Sequence, residues 1–325
     1  MAATLYTGTG ATLAVSNAVN SVGMQPDFVW MKGRSGATDH ALYDSVRGTT
    51  LDLASNTTAA ETTQTTGLTT FGAAGFTVGA LAKVNTSAAT YIGWNWKAGG
   101  TAVSNTAGSI TSSVSANTTA GFSVVTYTST GANATVGHGL GVTPSLILVK
   151  SRAIVLSWLV YHALIGNTKY LLLNTSAAET VDSTVWNNTS PTASVFTVGT
   201  AFGSNTYVAY CWAPVAGYSA FGSYTGNGGT DGPFVYTGFR PRWLMLKNTG
   251  GAASWYVLDS SRNTYNVEDA VLVPNTNQAE VAITSVDFLS NGFKLRTTTT
   301  DINGSGTTYI YAAFAENPLK YANAR

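Results

Sequence analysis

Residues 23–32 read Gly-Met-Gln-Pro-Asp-Phe-Val-Trp-Met-Lys, residues 141–150 read Gly-Val-Thr-Pro-Ser-Leu-Ile-Leu-Val-Lys, and residues 238–247 read Gly-Phe-Arg-Pro-Arg-Trp-Leu-Met-Leu-Lys. In each decapeptide Gly stands three before Pro and Lys six after it. The apolar run between Pro and Lys has the length and composition of a buried strand. Pro opens it where a missing N–H is tolerated, and the Gly suits a turn with φ > 0. A segment repeated at this spacing sets the architecture of the whole chain.

Working outward from the Pro, the register persists. Fourteen residues on come His40, Trp158 and Trp255; eighteen on, Asp44, His162 and Asp259; twenty-one on, Arg47, Ile165 and Arg262. An Asn-x-x-x-x-Glu pair recurs as Asn56/Glu61, Asn174/Glu179 and Asn275/Glu280. A closing apolar strand recurs as Tyr91 to Trp96, Tyr207 to Trp212 and Tyr309 to Phe314, and an opening Tyr-Thr as Tyr6-Thr7, Tyr127-Thr128 and Tyr224-Thr225. These coincidences define three modules, residues 1–98, 120–216 and 217–325. Residues 99–119, rich in Gly, Ser and Thr, read as a linker. Modules two and three join at Ala213-Pro214-Val215-Ala216-Gly217 with almost no slack, so they are expected to pack as a rigid pair.

Short segments rich in Val, Ile, Tyr, Trp, Phe and Thr, punctuated by Gly, Asn and Pro, predict β structure throughout. The expected fold is all-β: three tandem, related antiparallel β-sandwich modules, jelly-roll-like. In the closing strand of the first module, one of Trp94 and Trp96 is expected on each side of the sheet. The most apolar run, Ala153 to Gly166, is shorter than the roughly 18 residues of a membrane span and reads as two strands buried on both faces.

Composition narrows the function. Sixteen Lys and Arg against fifteen Asp and Glu give a net charge of +1, and charged residues are 10% of the chain. That is well under the usual share of about 25%. No basic face is available for nucleic acid, and the surface must be wetted by Thr, Ser, Asn and Gly. The single cysteine, Cys211, forms no intrachain disulfide and no Cys-based zinc site. The opening residues carry no basic and apolar signal-peptide pattern.

Chemistry-bearing motifs are few. Asp44-Ser45-Val46-Arg47 and Asp259-Ser260-Ser261-Arg262 place a carboxylate beside a guanidinium. Asp44, Arg47, Asp259 and Arg262 are therefore the candidate ligand-binding residues, or else a turn in which Asp accepts backbone N–H bonds and Arg pairs with an acid. His162 and Ile165 replace the pair in the second module. A glycosidase needs two carboxylates across a cleft, and acids are too sparse to name such a pair. His40, His138 and His162 occupy non-equivalent places without metal-ligand spacing. No phosphate loop or nucleophile elbow appears. No catalytic residue, cofactor or metal is expected. Seven of the eight tryptophans lie within the repeated strand registers, which favours packing over exposed sugar-stacking platforms.

Phe234-Val235-Tyr236-Thr237-Gly238-Phe239-Arg240-Pro241, Trp255 to Asn263 and Tyr309 to Pro318 in the third module, with Pro26 to Ala37 and Leu42 to Gly48 in the first, carry a resemblance. Over nearly its whole length the chain resembles a family of repeat-bearing structural proteins of tailed, largely marine, bacteriophages. The resemblance implies a virion component of the tail (fibre, tip or spike), assembled in the host cytoplasm. Its expected partners are other virion proteins and host-surface carbohydrate, without nucleic acid or membrane insertion, and it is expected to form a homo-oligomer, with a trimer favoured. A capsid-decoration or head-fibre protein is the alternative, and a virion-associated glycan-degrading enzyme the second alternative.

Overall fold

The computed structural model describes residues 1–19 and 22–318. Within them helix is confined to the one-turn segments Ala82–Asn85, Ser183–Trp186 and Thr300–Asn303 and the 3-10 turn Thr200–Phe202. Everything else of regular structure is strand.

One strand order recurs three times, with every neighbour antiparallel. In the first module Ala2–Thr7 lies beside Thr90–Trp96, then Phe28–Gly33, then Ala41–Asp44. In the second the order is Phe122–Thr128, Thr206–Trp212, Leu146–Ser151, Leu159–His162. In the third it is Ser219–Thr225, Thr308–Ala315, Pro241–Asn248, Tyr256–Asp259. The repeated decapeptide thus supplies a central strand each time. A smaller sheet covers one face of each: Leu13–Ser16, Gly75–Val78 and Leu68–Gly72; Ala134–Gly137 with Val195–Val198; and Phe234–Tyr236, Gly292–Leu295, Val281–Leu289 and Glu268–Val271.

Two-residue periodicity splits every central strand between two cores. Val29 and Met31, Ile147 and Val149, Leu244 and Leu246 point into the sandwich interior of their own module. Phe28 and Trp30, Leu146 and Leu148, Trp243 and Met245 point the other way, into one cluster shared by all three modules. Those strands are buried on both faces, which explains their continuous apolar runs. Trp96 sits in the shared cluster, edge-on to Trp212 (5.9 Å), Trp243 (5.5 Å) and Phe314 (5.6 Å). Such aromatic pairs add about 0.5–1.5 kcal/mol each beyond area burial.

Three expectations are corrected. Trp94 and Trp96 both face the shared core, because residues two apart in a strand lie on one side; Asn95 takes the other. Residues 99–119 are not a free linker. Val103–Asn105 pairs with Ser112–Asn117, which pairs in turn with Phe122–Thr128, so the segment extends the sheet of the second module. Val114 and Ile110 are buried in that module's interior, while small hydroxyl side chains hide the alternation from a propensity reading. The run Ala153 to Gly166 holds one strand, Leu159–His162, after a loop that leaves Ile154 and Val155 exposed. No described helix is long and apolar enough to cross a membrane. Of the glycines before Pro, Gly141 (φ 72°) and Gly238 (φ 85°) adopt the left-handed turn. Gly23 is instead needed for close approach, since a Cβ there would lie 2.5 Å from that of Ala74.

Candidate functional site

The Asp-Ser-x-Arg turns lie where each central sheet ends against a neighbouring module. Asp44 Oδ1 accepts the N–H groups of Val46 (3.1 Å) and Arg47 (2.8 Å), and Oδ2 pairs with Arg47 Nε at 2.5 Å. Asp259 does the same with Ser261 (3.1 Å), Arg262 N–H (3.1 Å) and Arg262 Nε (2.6 Å). The side chains of all four candidate residues are fully buried, so none of them presents a surface to a ligand.

Each turn grips the next module. Tyr210 Oη of the second module donates to Asp44 Oδ2 at 2.7 Å, and Trp94 Nε1 of the first donates to Asp259 Oδ2 at 2.9 Å. Arg47 Nη1 reaches Glu61 at 2.9 Å, and Glu61 is held bidentately by Arg152 of the second module at 3.0 and 2.8 Å. Arg262 Nη1 reaches Glu280 at 3.1 Å, and Glu280 is held the same way by Arg34 of the first module at 2.9 and 2.8 Å. Backbone bonds Glu61 N–H to Arg152 O and Glu280 N–H to Arg34 O complete both seams. Burial opposes ionisation of Glu61, but Arg152 and then Arg47 outweigh it and hold the carboxyl below its ordinary value. At Glu280 burial is likewise overcome by Arg34 and Arg262.

The seam between modules two and three departs coherently. Ala312 occupies the place of Trp94 and Tyr210 and carries no donor, and His162 replaces the Asp and reaches Tyr311 O at 3.2 Å. Thr249 stands where Arg34 and Arg152 stand elsewhere, leaving Glu179 its backbone bond to Thr249 O (2.9 Å) and a pair with Lys169 (2.5 Å). Contacts therefore run from first to second, second to third and third to first, and the modules close on one another.

The repeated lysines and the position fourteen after Pro complete the closure. Lys32 donates to Asn277 O (3.3 Å), Lys150 to Thr58 O (3.0 Å) and Lys247 to Ser176 O (3.2 Å), each carbonyl lying two residues after the repeated Asn of another module. Burial lowers each ammonium to about 8. His40 Nε2 lies 3.1 Å from Val273 O, Trp158 Nε1 donates to Ala54 O (2.8 Å) and Trp255 Nε1 to Leu172 O (2.9 Å), again across seams. The sequence reading missed this role for Lys32, Lys150, Lys247, Glu61 and Glu280. The signal available was that His162, Ile165, Thr249 and Ala312 depart from the repeat at one seam together.

Of the chemistry-bearing groups outside the seams, Glu268 is buried, and neither carboxylate oxygen has a hydrogen-bond partner. Burial, then Asp259, push its carboxyl up to about 8. No group of three or more His, Cys, Asp or Glu gathers as metal ligands among the described residues. All eight tryptophans are buried, so none offers a stacking face. An open groove of about 360 Å³ lies on the second module, lined by Ser104, Thr111, Ser113, Thr126, Thr128 and Thr206, with Arg152 at one wall. It presents mainly hydroxyl groups, and its one guanidinium is the one that holds Glu61 across the seam.

A family model described as "Domain of unknown function (DUF7483)" matches residues 1–318, and so takes in all three modules, their seams and the groove. The chain belongs to this family. No curated protein and no solved structure matches it. The DUF7483 match thus covers the closed arrangement as one unit, and the extended strands of residues 103–105 and 112–117 fall inside it.

Proposed function

We propose that the chain is a structural and adhesive component of a bacteriophage virion, carried on the tail as part of a fibre, tip or spike, where it binds host-surface glycan or a neighbouring virion protein. The observation that supports this most is where the charged groups are used. The carboxylates and guanidiniums of the repeated turns are buried at two of the three seams, where Glu61 and Glu280 are gripped by Arg152 and Arg34 of the neighbouring module. Outside the seams, the second module carries a shallow groove lined mostly by hydroxyl side chains. A protein so arranged serves by shape and adhesion, and its low net charge makes its contacts insensitive to salt.

Labelling of intact particles, read by electron microscopy with copy number per particle, tests the location. A few copies at the tail support the reading; dense coverage of the head establishes the capsid-decoration alternative instead. A glycan array with the wild-type protein and the groove variants Thr126→Val and Thr128→Val tests adhesion, and release of reducing sugar from a bound polysaccharide would make the protein an enzyme. Native mass measurement decides whether three chains associate as well.

A further inference from the structure

The outer strand of a sheet presents N–H and C=O groups that need partners. The smaller sheet of each module ends in such a strand, and the three are in matching register. Asn17 N–H donates to Ala74 O, His138 N–H to Ser194 O and Thr237 N–H to Asn291 O. Stepping back one and three residues from these, the outward-facing positions are Ser16 and Ala14, Gly137 and Thr135, Tyr236 and Phe234, with Val15, Val136 and Val235 buried between them.

In the second module this edge is filled by the chain itself. Ile110 N–H donates to Thr135 O (3.0 Å), Thr135 N–H donates to Ser109 Oγ (2.9 Å) and Ser112 Oγ donates to Gly137 O (2.8 Å). Ile110 bridges Val136 in parallel sense. The backbones cross so closely that a Cβ on Gly108 would lie 2.3 Å from Thr135 O. In the third module Phe234–Tyr236 pairs only with Gly292–Leu295 and ends its sheet. No described segment runs along its outer side, where Tyr236 O meets only the Tyr311 hydroxyl at 3.4 Å. Phe234 and Tyr236 expose 46% and 64% of their surface there, far more apolar area than Ala14 and Ser16 offer at the first module's edge.

We propose that this edge accepts an extended segment of another protein as an added parallel strand, in the way residues 109–112 occupy the edge of the second module. The segment is uncharged, with a hydroxyl side chain followed by an apolar β-branched residue, and small residues where the backbones cross. The 109–112 segment of a second copy is not the donor, because it is already bonded in place. The edge N–H and C=O groups, met by a backbone N–H and serine hydroxyls as in the second module, supply the affinity, and the two aromatic rings cover the added strand. The inference stands on edge geometry and does not depend on the virion reading.

The probe is a fluorescent peptide of residues 107–114, Ala-Gly-Ser-Ile-Thr-Ser-Ser-Val, titrated into the full-length protein. It omits Asn105, whose side chain lies where a Cβ on Gly137 would be and where Tyr236 stands in the third module. Saturable binding is expected, with slowed amide exchange at Phe234 and Tyr236. Phe234→Pro removes an outward N–H that holds no ladder bond, the counterpart of the Thr135 N–H bonded to Ser109 Oγ, so the variant should melt with the wild type and bind about tenfold more weakly. Ala14→Pro, at the matching place in the first module, should bind normally. Absence of saturable binding, protection confined to other strands, or loss with Ala14→Pro but not with Phe234→Pro would overturn the proposal. Should Phe234→Pro fail to fold, Tyr236→Ser and the exchange pattern of the wild type carry the test.

Discussion

Asp44 and Asp259 are dry acids whose charge is tolerated because every lone pair is engaged by backbone N–H, guanidinium and a donor from the next module. Removing one partner of such a set leaves an uncompensated buried charge, which costs about 3–5 kcal/mol. Arg47→Met and Arg262→Met should each lose that much, read by urea unfolding. His162→Asp should lose a comparable amount, because Ala312 offers no donor and Ile165 no guanidinium. Glu179→Gln, by contrast, breaks a half-exposed pair with Lys169 and should cost under about 1 kcal/mol. If Arg47→Met proves as mild as Glu179→Gln, the seams are not what hold the modules together. The turn itself was legible in the sequence, since Asp two and three residues before free N–H groups is a local pattern. Its grip on Tyr210 or Trp94 was not, because those partners lie 166 and 165 residues away and local spacing carries no record of them.

Among the elements, the central and closing strands could be read directly, since burial on both faces writes an unbroken apolar run. Val103–Asn105 and Ser112–Asn117 could not, because Ser and Asn have weak strand preference and only Ile110 and Val114 betray a buried face. Their contribution is measurable. Ile110→Ala should cost about 2–5 kcal/mol, as for a core aliphatic, where a true linker would register nothing. Denaturant midpoints of the variant decide this, and a midpoint equal to the wild type's would return residues 99–119 to the status of a connector.

For the molecule as a whole, the shared cluster ties the modules into one cooperative unit. Trp96→Ala should lower stability by about 3–5 kcal/mol and still give a single transition, with amide exchange accelerated in all three modules together. Two separated transitions would contradict this. Acid should act on the same unit. Burial, with Lys32 adding to it, lowers His40 from 6.5 to about 3, and burial lowers His162 from 6.5 to about 4. Both are neutral when folded, while the unfolded chain takes up protons below its ordinary value, so stability falls as pH drops from about 6.5 towards 4. The loss by pH 5 is on the order of 2 kcal/mol per histidine. The lysines lowered to about 8 act in another window: the unfolded chain stays charged up to about 10.5, so stability climbs from pH 8 towards that value until buried tyrosines oppose it above about 10. Urea midpoints at pH 5, 7 and 9.5 should rise in that order. The repeat was legible because the spacings survive; its closure was not, since a string of modules would carry the same spacings. That closure within one chain has an evolutionary effect. In an assembly of identical subunits any substitution is imposed on every junction at once, whereas here each junction mutates alone. His162, Ile165, Thr249 and Ala312 could drift as a set at one junction while the other two kept their ion pairs, and the rims could diverge into one blocked, one lined by small residues and one aromatic.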